Sequence, residues 1–223
     1  MQLCELLGVS RGVTAIIGSG GKTTAMYTLA DELRRRGTVI CCTTTRIFPP
    51  DHIPVYTGSD MDALVSLLLE SGCVCAGTVA ENGKLKESAI AMETLAAIAD
   101  FVLVEADGSK GLPLKAHLGH EPVIPECAKT TILLVGAEGF GKPAADAAHR
   151  PERFCALAEI APSDAVTPAA AAAVINREAL AAKLLINQVE SEETMANARS
   201  LAELVNIPVF AGAIRRGEWV CLL

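Results

Sequence analysis

The sequence predicts an α/β fold in which a mainly parallel β-sheet is flanked by helices, within a single domain of residues 1–223. Apolar, strand-like runs alternate along the chain with segments whose apolar residues recur at helical spacing. A glycine-rich turn joins the first strand-like run, residues 13–17, to the first helix-like segment, residues 22–36. A second strand-like run at residues 38–43 completes a strand, helix, strand unit, which is parallel and right-handed in nearly all proteins.

The same patterns predict the remaining elements. Further strands are predicted at residues 73–78, 101–104, 131–135, 184–186, 207–214 and 219–223. Further helices are predicted at residues 59–69 and 88–99, after Arg150 as far as residue 161, and after the caps Thr167 and Ser191. Asn82-Gly83 predicts a small β-hairpin that decorates the parallel sheet.

The glycine-rich turn reads Gly18-Ser19-Gly20-Gly21-Lys22-Thr23-Thr24 and is suited to holding a phosphate. Glycines let the backbone N–H groups turn inward, and the start of a helix adds partial positive charge. Lys22 is expected to reach the terminal phosphates, and Thr23 to supply one ligand to a bridging magnesium ion. Ile16 replaces the first glycine of the Gly-x-x-x-x-Gly-Lys-[Ser/Thr] pattern, so the loop is short. The loop predicts a P-loop NTPase-like, three-layer architecture, and the alternative is a turn without a ligand.

A second polar group, Glu105-Ala106-Asp107-Gly108, follows the apolar run at residues 101–104. A carboxylate at the tip of a central strand is the usual partner of a phosphate loop, where it holds magnesium or its water shell. If the strand continues, alternation places Glu105 and Asp107 on one face, so that one serves the metal and the other a substrate or water. Thr23 and Asp107 are therefore the predicted metal ligands.

Residues 109–122 are interrupted by glycine and proline and predict a long loop at the ligand-binding edge of the sheet. Lys110 and Lys115 suit the neutralisation of phosphate or of a second anionic substrate. His117, His120 and Glu121 offer proton-transfer or metal-binding groups, with solvated loop charges as the alternative. The candidate catalytic residues are Lys22, Glu105, Asp107 and Lys110.

Three other polar segments lie at predicted strand or helix ends. The segment Thr43-Thr44-Thr45-Arg46 either contacts phosphate or metal or forms a polar loop. Arg150 either acts on an anion or pairs with a nearby glutamate. Asn187 lies where guanine-binding P-loop proteins carry Asn-Lys-x-Asp, which makes it a candidate for nucleotide binding. Gln188 and Glu190 replace the lysine and the aspartate, so the choice between ATP and GTP stays open.

The composition argues against several classes of function. With 19 basic and 26 acidic residues the net charge is −7, and aromatic residues make up only 4%, so we expect no nucleic-acid partner. No apolar run reaches bilayer length and no secretory signal is recognisable, so we expect a cytoplasmic protein without a membrane partner. The eight cysteines include no Cys-x-x-Cys pair, which favours free, buried thiols over a metal site.

Taken together, these motifs resemble the YqeC family, accessory proteins assigned to selenium-dependent molybdenum hydroxylases and to selenium cofactor biosynthesis. The resemblance covers nearly the whole chain. It rests on residues 18–24, 43–50, 104–111, 121–125, 136–142 and 149–150. It implies a nucleotide-binding P-loop α/β protein linked to the maturation of the hydroxylase's molybdenum site, but it does not imply the reaction. With ATP or GTP and Mg²⁺ expected at the glycine loop, we expect NTP hydrolysis or phosphoryl transfer. The matching motif positions are Lys22, Thr23, Glu105, Asp107 and Lys110. This sequence differs from residues common in relatives at three positions, Arg46, His117 and Gln188.

Two alternatives remain open at this stage. The glycine loop also resembles the short Gly-Thr-x-Gly-Lys-Thr loop of Mur-type ligases, which implies an ATP-dependent ligase or kinase. A non-enzymatic nucleotide switch or chaperone, which presents residues 109–125 to a partner, is the third interpretation.

Overall fold

The computed structural model describes residues 1–222, so the last residue of the predicted edge strand, Leu223, lies outside the described residues. The internal contacts group the chain into two compact units. The first consists of Met1–Ile16, Thr23–Asp107 and Val123–Thr130, and the second of Ile17–Lys22, Gly108–Pro122 and the chain from Thr131 onward. The single-domain organisation therefore stays a prediction.

The first unit is built on a parallel sheet. Its strands and helices, in chain order, are α1 (Leu3–Leu6), β1 (Gly12–Gly18), α2 (Lys22–Leu33), β2 (Val39–Thr43), β3 (Val55–Tyr56), α3 (Met61–Ser71), β4 (Cys73–Ala76), β5 (Thr78–Val79), β6 (Leu85–Lys86), α4 (Met92–Ile98) and β7 (Phe101–Glu105). The strand order is β1-β7-β2-β4-β3, and all neighbours run parallel. The pair β5 and β6 forms the predicted hairpin outside this sheet.

Helices cover both faces of this sheet. Residues of even number on β2, β4 and β7 pack in one buried cluster with Leu64 and Leu68 of α3 and Leu95 of α4. Successive residues of a strand point to opposite faces, so the odd-numbered residues lie on the other side. There the hydroxyl of Tyr27, on α2, lies 3.9 Å from Sγ of Cys75. The predicted three-layer arrangement is thus present within this unit.

The main sheet of the second unit has three parallel strands and one antiparallel edge strand. Its elements are β8 (Leu114–Lys115), β9 (Ala128–Gly136), α5 (Ala144–Ala147), β10 (Ala148–His149), α6 (Pro151–Ala158), α7 (Pro168–Glu178), β11 (Lys183–Asn187), α8 (Glu192–Ala202), β12 (Val209–Ala213) and β13 (Glu218–Cys221), with 3₁₀ turns at Ala137–Gly139 and Ile214–Arg216. The strand order is β9-β11-β12-β13, and β13 runs antiparallel to β12. A separate parallel pair, β8 with β10, lies outside this sheet.

Local chemistry fixes several of these boundaries as expected. The Thr167 hydroxyl accepts from the N–H of Ala170, and Pro168 occupies the first turn of α7. Ser191 forms a reciprocal cap with Thr194 at the start of α8. Helix α2 ends at Leu33, three residues before the end predicted from the sequence, Arg36. The fold class is confirmed as α/β with a mainly parallel sheet flanked by helices.

Candidate functional site

The backbone of the glycine loop is held tightly within the second unit. Gly18 and Gly20 have φ values of +91° and +76°, which L side chains rarely adopt. A Cβ atom on Gly20 would lie 2.3 Å from the Gly136 nitrogen, and one on Gly18 would lie 2.3 Å from the Leu134 oxygen. Both positions therefore require glycine for conformation and for space.

Two N–H groups of the loop already have backbone partners. Ser19 N–H donates to the Leu134 carbonyl at 2.9 Å, and Gly20 N–H donates to the Leu112 carbonyl at 3.3 Å. The donors suited to an anion are instead those of the first turn of α2, because the first N–H groups of a helix have no partner within the helix. The Ser19 hydroxyl is fully buried and makes no hydrogen bond within the described residues.

The side chain of Lys22 folds back onto the loop. Its Nζ donates to the Gly18 carbonyl at 2.7 Å and to the Ser109 hydroxyl at 3.2 Å, and the residue is only 3% exposed. An ammonium group is rarely buried unless its protons are accepted by oxygen atoms. The loop thus already surrounds a buried positive charge with oxygens.

Asn187, at the tip of β11, ties the loop to the neighbouring strand end. Its Nδ2 donates to the Gly20 carbonyl at 2.7 Å, and its Oδ1 accepts from the Ile214 N–H at 3.0 Å. The side chain is buried, and both ends of its amide are used in these contacts. The structure shows a positioning role for Asn187, while its contact with a nucleotide base stays a prediction. Gln188 donates through Nε2 to Glu138 Oε1 at 3.0 Å.

The residue after the lysine meets the carboxylate at the end of β7, within the first unit. The Thr23 hydroxyl donates to Glu105 Oε2 at 2.7 Å, and Glu105 is 6% exposed. This contact joins two oxygen-bearing side chains, the kind of ligand that magnesium prefers. Thr24, the next residue of α2, is partly buried.

The predicted alternation of the two carboxylates does not extend to Asp107. Strand β7 ends at Glu105, two residues earlier. The Ala106 N–H makes the last ladder bond, to the Ile16 carbonyl, whereas the Ala106 carbonyl turns to accept from Val123. Asp107 is fully buried beyond the strand. Its orientation relative to Glu105 therefore follows from the loop and not from strand periodicity.

Two threonines at the end of β2, Thr43 and Thr44, support the same strand end. Thr43 donates through Oγ1 to the Glu105 carbonyl at 2.8 Å, and Thr44 donates through Oγ1 to the Val123 carbonyl at 2.9 Å. These contacts match the interpretation of residues 43–46 as a polar loop. The hydroxyls fix the backbone that carries Glu105.

A buried charge network lies in the second unit, in the segments that follow Asp107 and Pro143. Lys115 donates to the Gly108 carbonyl at 2.6 Å and to Glu121 Oε2 at 2.7 Å, while Arg150 donates through Nε to Glu121 Oε1 at 3.3 Å. Burial opposes ionisation of Glu121, but the hydrogen bonds and charges of Lys115 and Arg150 outweigh burial and lower its pKa. Both oxygens of this carboxylate are therefore occupied.

His149 adjoins this network, although no sequence pattern indicated a role for it. It pairs with Lys115 in the register of β10 with β8 and is 7% exposed. Burial, together with the positive charges of Lys115 and Arg150, lowers its pKa below the ordinary value, so the ring is neutral at pH 7. Lys110 is exposed and has φ +51°.

The structure places His117 in a different pair. Its Nδ1 lies 2.7 Å from Glu178 Oε2, and its N–H donates to Glu178 Oε1 at 2.6 Å. Both residues line a cavity of about 380 Å³ with Leu133, Ile175 and Ile207. Glu178 ends helix α7 and was not recognised from the sequence, because no short-range pattern links residues 61 positions apart.

The described residues contain no cluster of three or more His, Cys, Asp or Glu side chains that could hold a metal ion. Six of the eight cysteines are buried. No helix in the described part of the chain is long and apolar enough to span a bilayer.

Comparisons with known proteins identify a family and a likeness among solved structures. A protein family described as "YqeC protein" matches residues 14–152. The uncharacterized protein YqeC of Escherichia coli (strain K12) is 32% identical over 158 residues, covering 67% of this chain and 62% of the relative, which is less than two thirds of its length. Among solved structures, the signal recognition particle 54 kDa protein from Aeropyrum pernix K1, in complex with GDP, has a TM-score of 0.42 and 14% identity, covering 96% of this chain and 44% of that chain.

Proposed function

Because the chain belongs to the YqeC family, we propose that it is a nucleotide-binding accessory protein that binds ATP or GTP with Mg²⁺ at residues 18–24. The proposed reaction is NTP hydrolysis or phosphoryl transfer. The proposed role is in the selenium and molybdenum cofactor maturation of a selenium-dependent hydroxylase, as the resemblance implies. The observation that carries nucleotide binding is the buried Lys22 ammonium, held on the Gly18 carbonyl where a left-handed glycine loop enters a helix.

The phosphates of the nucleotide would take the place of neutral oxygens around Lys22. A phosphate oxygen carries negative charge, whereas the Gly18 carbonyl and the Ser109 hydroxyl carry only partial charge. The attraction of an ammonium to a full negative charge is stronger than its attraction to a partial one. The N–H groups at the start of α2 would add donors and the positive end of the helix dipole.

The residues present fit a magnesium ion. Thr23 and Glu105 already bring a hydroxyl and a carboxylate oxygen to 2.7 Å, and magnesium is usually held by one or two such ligands plus phosphate oxygens and water. Bound there, Mg²⁺ would neutralise charge on the phosphates. Asp107, the carboxylate predicted from the sequence as a metal ligand, is fully buried. It lies two residues after Glu105 and three before Lys110 in the chain.

The remaining chemistry would come from side chains of this chain. Lys22 would neutralise charge on the transferred phosphate, and Lys110 would do so from the adjoining loop. A carboxylate, Glu105 or Asp107, would orient the attacking water or acceptor and accept its proton. These assignments make Lys22, Glu105, Asp107 and Lys110 the proposed catalytic residues.

Calorimetric titration of ATP and of GTP, with and without Mg²⁺, tests nucleotide binding. We expect magnesium-dependent binding of one nucleotide by the wild type and none by Lys22→Ala. Lys142→Ala is the matched control, because Lys142 is exposed in the same unit, and it should bind like the wild type. Absence of binding by the wild type, or unchanged binding by Lys22→Ala with a native melting curve, would contradict the proposal.

Turnover separates the enzyme from a switch. Asp107→Asn should lose hydrolysis or transfer while it retains nucleotide binding. A ligase or kinase would turn over only with its acceptor, whereas a switch would bind a partner with nucleotide-dependent affinity. For the maturation role, a selenium-dependent hydroxylase co-expressed with the wild-type chain should be active, and one co-expressed with Lys22→Ala should not. Equal activity with both would reject that role.

A further inference from the structure

We propose that Lys110, His149 and Arg150 form a second anion site, which holds the oxyanion group of the acceptor substrate beside the phosphate loop. The group is a phosphate or a carboxylate. The acceptor interpretation rests on the proposed function, whereas the binding of an anion by these three residues does not.

The charges of the cluster are unbalanced in favour of an anion. Among the charged groups that act most strongly on His149, Lys115, Arg150 and Lys110 are positive and Glu121 is negative. Glu121 is already bonded to Lys115 and Arg150 through its two oxygens. Positive charges therefore outnumber the negative one in this group, in a protein of net charge −7.

Arg150 has donors left for a ligand. Within the described residues its side chain makes one hydrogen bond, from Nε to Glu121, and it is 37% exposed. The two terminal nitrogens of the guanidinium form a planar fork that matches a carboxylate or phosphate. Lys110 is exposed.

His149 adds a polar ring to the cluster, and the residue is 7% exposed. A neutral imidazole can donate one N–H to an anion and can take up a proton when the anion brings negative charge nearby.

The backbone at the two cationic residues is also unusual. Lys110 and Arg150 have φ values of +51° and +68°, in the left-handed region that residues with a Cβ atom disfavour. Such strain clusters at ligand-binding positions, where surrounding contacts hold it in place.

Hydrogen bonds connect the cluster to the phosphate loop within the second unit. Lys22 donates to the Ser109 hydroxyl, and Ser109 lies between Gly108, whose carbonyl accepts from Lys115, and Lys110. Lys110 is therefore the chain neighbour of the residue whose hydroxyl contacts Lys22. In the proposal, the acceptor approaches the terminal phosphate from this segment.

The test is a proton NMR titration of the His149 ring with inorganic phosphate. The protein contains four histidines, and His149→Gln identifies the resonance. The protein is first saturated with Mg²⁺ and a non-hydrolysable nucleoside triphosphate, so that the phosphate loop is filled. We expect a saturable shift of the His149 signal and a rise in its pKa, because a bound anion offsets the charges that lower it.

Charge-removing variants show whether the named residues bind the anion. Lys110→Asn and Arg150→Asn should each weaken phosphate binding by about tenfold or more, since each removes a charge-assisted hydrogen bond. Asparagine tolerates the left-handed backbone, so neither change adds strain. The controls are Lys142→Asn and Arg215→Asn, both exposed in the same unit and outside the charges that act on His149, and they should leave binding unchanged.

The outcomes distinguish this proposal from the proposed function. If no nucleotide binds, the proposed function fails, and the titration is repeated on Lys22→Ala, in which the phosphate loop is disabled. A His149 response that survives Lys22→Ala and is lost in Arg150→Asn supports the anion site on its own. Acetate in place of phosphate distinguishes a carboxylate from a phosphate acceptor, and chloride at equal ionic strength controls for screening. A His149 signal that neither oxyanion moves, or a response that both Asn variants retain, overturns the proposal.

Discussion

Replacement of Gly20 by alanine should destabilise the protein through two separable effects. The first is conformational, because an L residue at φ +76° in the left-handed region costs about 1–2 kcal/mol. The second is steric. The new methyl group would lie 2.3 Å from the Gly136 nitrogen and 2.5 Å from its Cα, both backbone atoms that cannot rotate away.

The steric effect is expected to be at least as large as the conformational one. Ordinary contact begins near 3.4 Å, so the backbone at Gly20 or Gly136 would have to move by about 1 Å. Overpacking of this kind typically costs about 1–3 kcal/mol. Together the two effects predict a loss of about 2–5 kcal/mol in the free energy of unfolding. The same movement would stretch the hydrogen bond between the Gly20 carbonyl and Asn187.

Gly141→Ala provides the matched control. Gly141 has φ +79°, and a Cβ atom there would meet nothing within 4 Å. Urea unfolding should therefore show a loss of only about 1–2 kcal/mol for Gly141→Ala, from conformation alone. The difference between the two variants measures the steric effect. Equal losses for both would refute the close packing of the loop against Gly136.

Three further predictions concern the anchor, the charge network and the thiols. Asn187→Ala should lower the free energy of unfolding in urea by about 2–4 kcal/mol, because two buried backbone groups lose their partner. The control Asn176→Ala, at an exposed residue, should lower it by less than about 1 kcal/mol. Similar losses for the two variants would contradict the anchoring role of Asn187. The pKa of Glu121 is lowered by folding, so its stabilising contribution is present above about pH 4.3 and is lost as the pH falls through the folded-state pKa. Glu121→Gln should therefore flatten the stability curve measured between about pH 5 and 3, and an unchanged slope would reject the network. Ellman's reagent should react rapidly with one thiol, Cys221, in the native protein and with eight after unfolding; rapid reaction of several native thiols would contradict their burial.

Much of the first unit could be predicted because its signals are local. Strand β1, the glycine loop and α2 follow one another in the sequence, and the apolar run before Glu105 shows the central strand directly. The hairpin at Asn82-Gly83 and the caps at Thr167 and Ser191 also depend on residues within a few positions. Such features are determined by backbone conformation and side chains close in the chain.

The details of the site could not be predicted because they depend on distant residues. Asn187 bonds to Gly20 across 167 positions, and His117 bonds to Glu178 across 61. His149 shows no sequence pattern, since its surroundings arise from the pairing of β8 with β10. The alternation assumed for Asp107 required a longer strand, and the hydrogen bond from Val123 to the Ala106 carbonyl shows that the chain leaves β7 there.

The internal bonding of Lys22 sets the energetics of ligand capture. A ligand that reaches this ammonium replaces its hydrogen bonds to Gly18 and Ser109 with new ones. The total number of hydrogen bonds therefore changes little. The net gain therefore comes from the difference in charge between the old acceptors and the new, so it grows with the negative charge of the ligand. A neutral molecule of the same shape gains almost nothing by displacing the Gly18 carbonyl. At this lysine, ligands are thus selected by their charge. In the proposed nucleotide site, this selection depends on the phosphates alone and not on the base or the sugar.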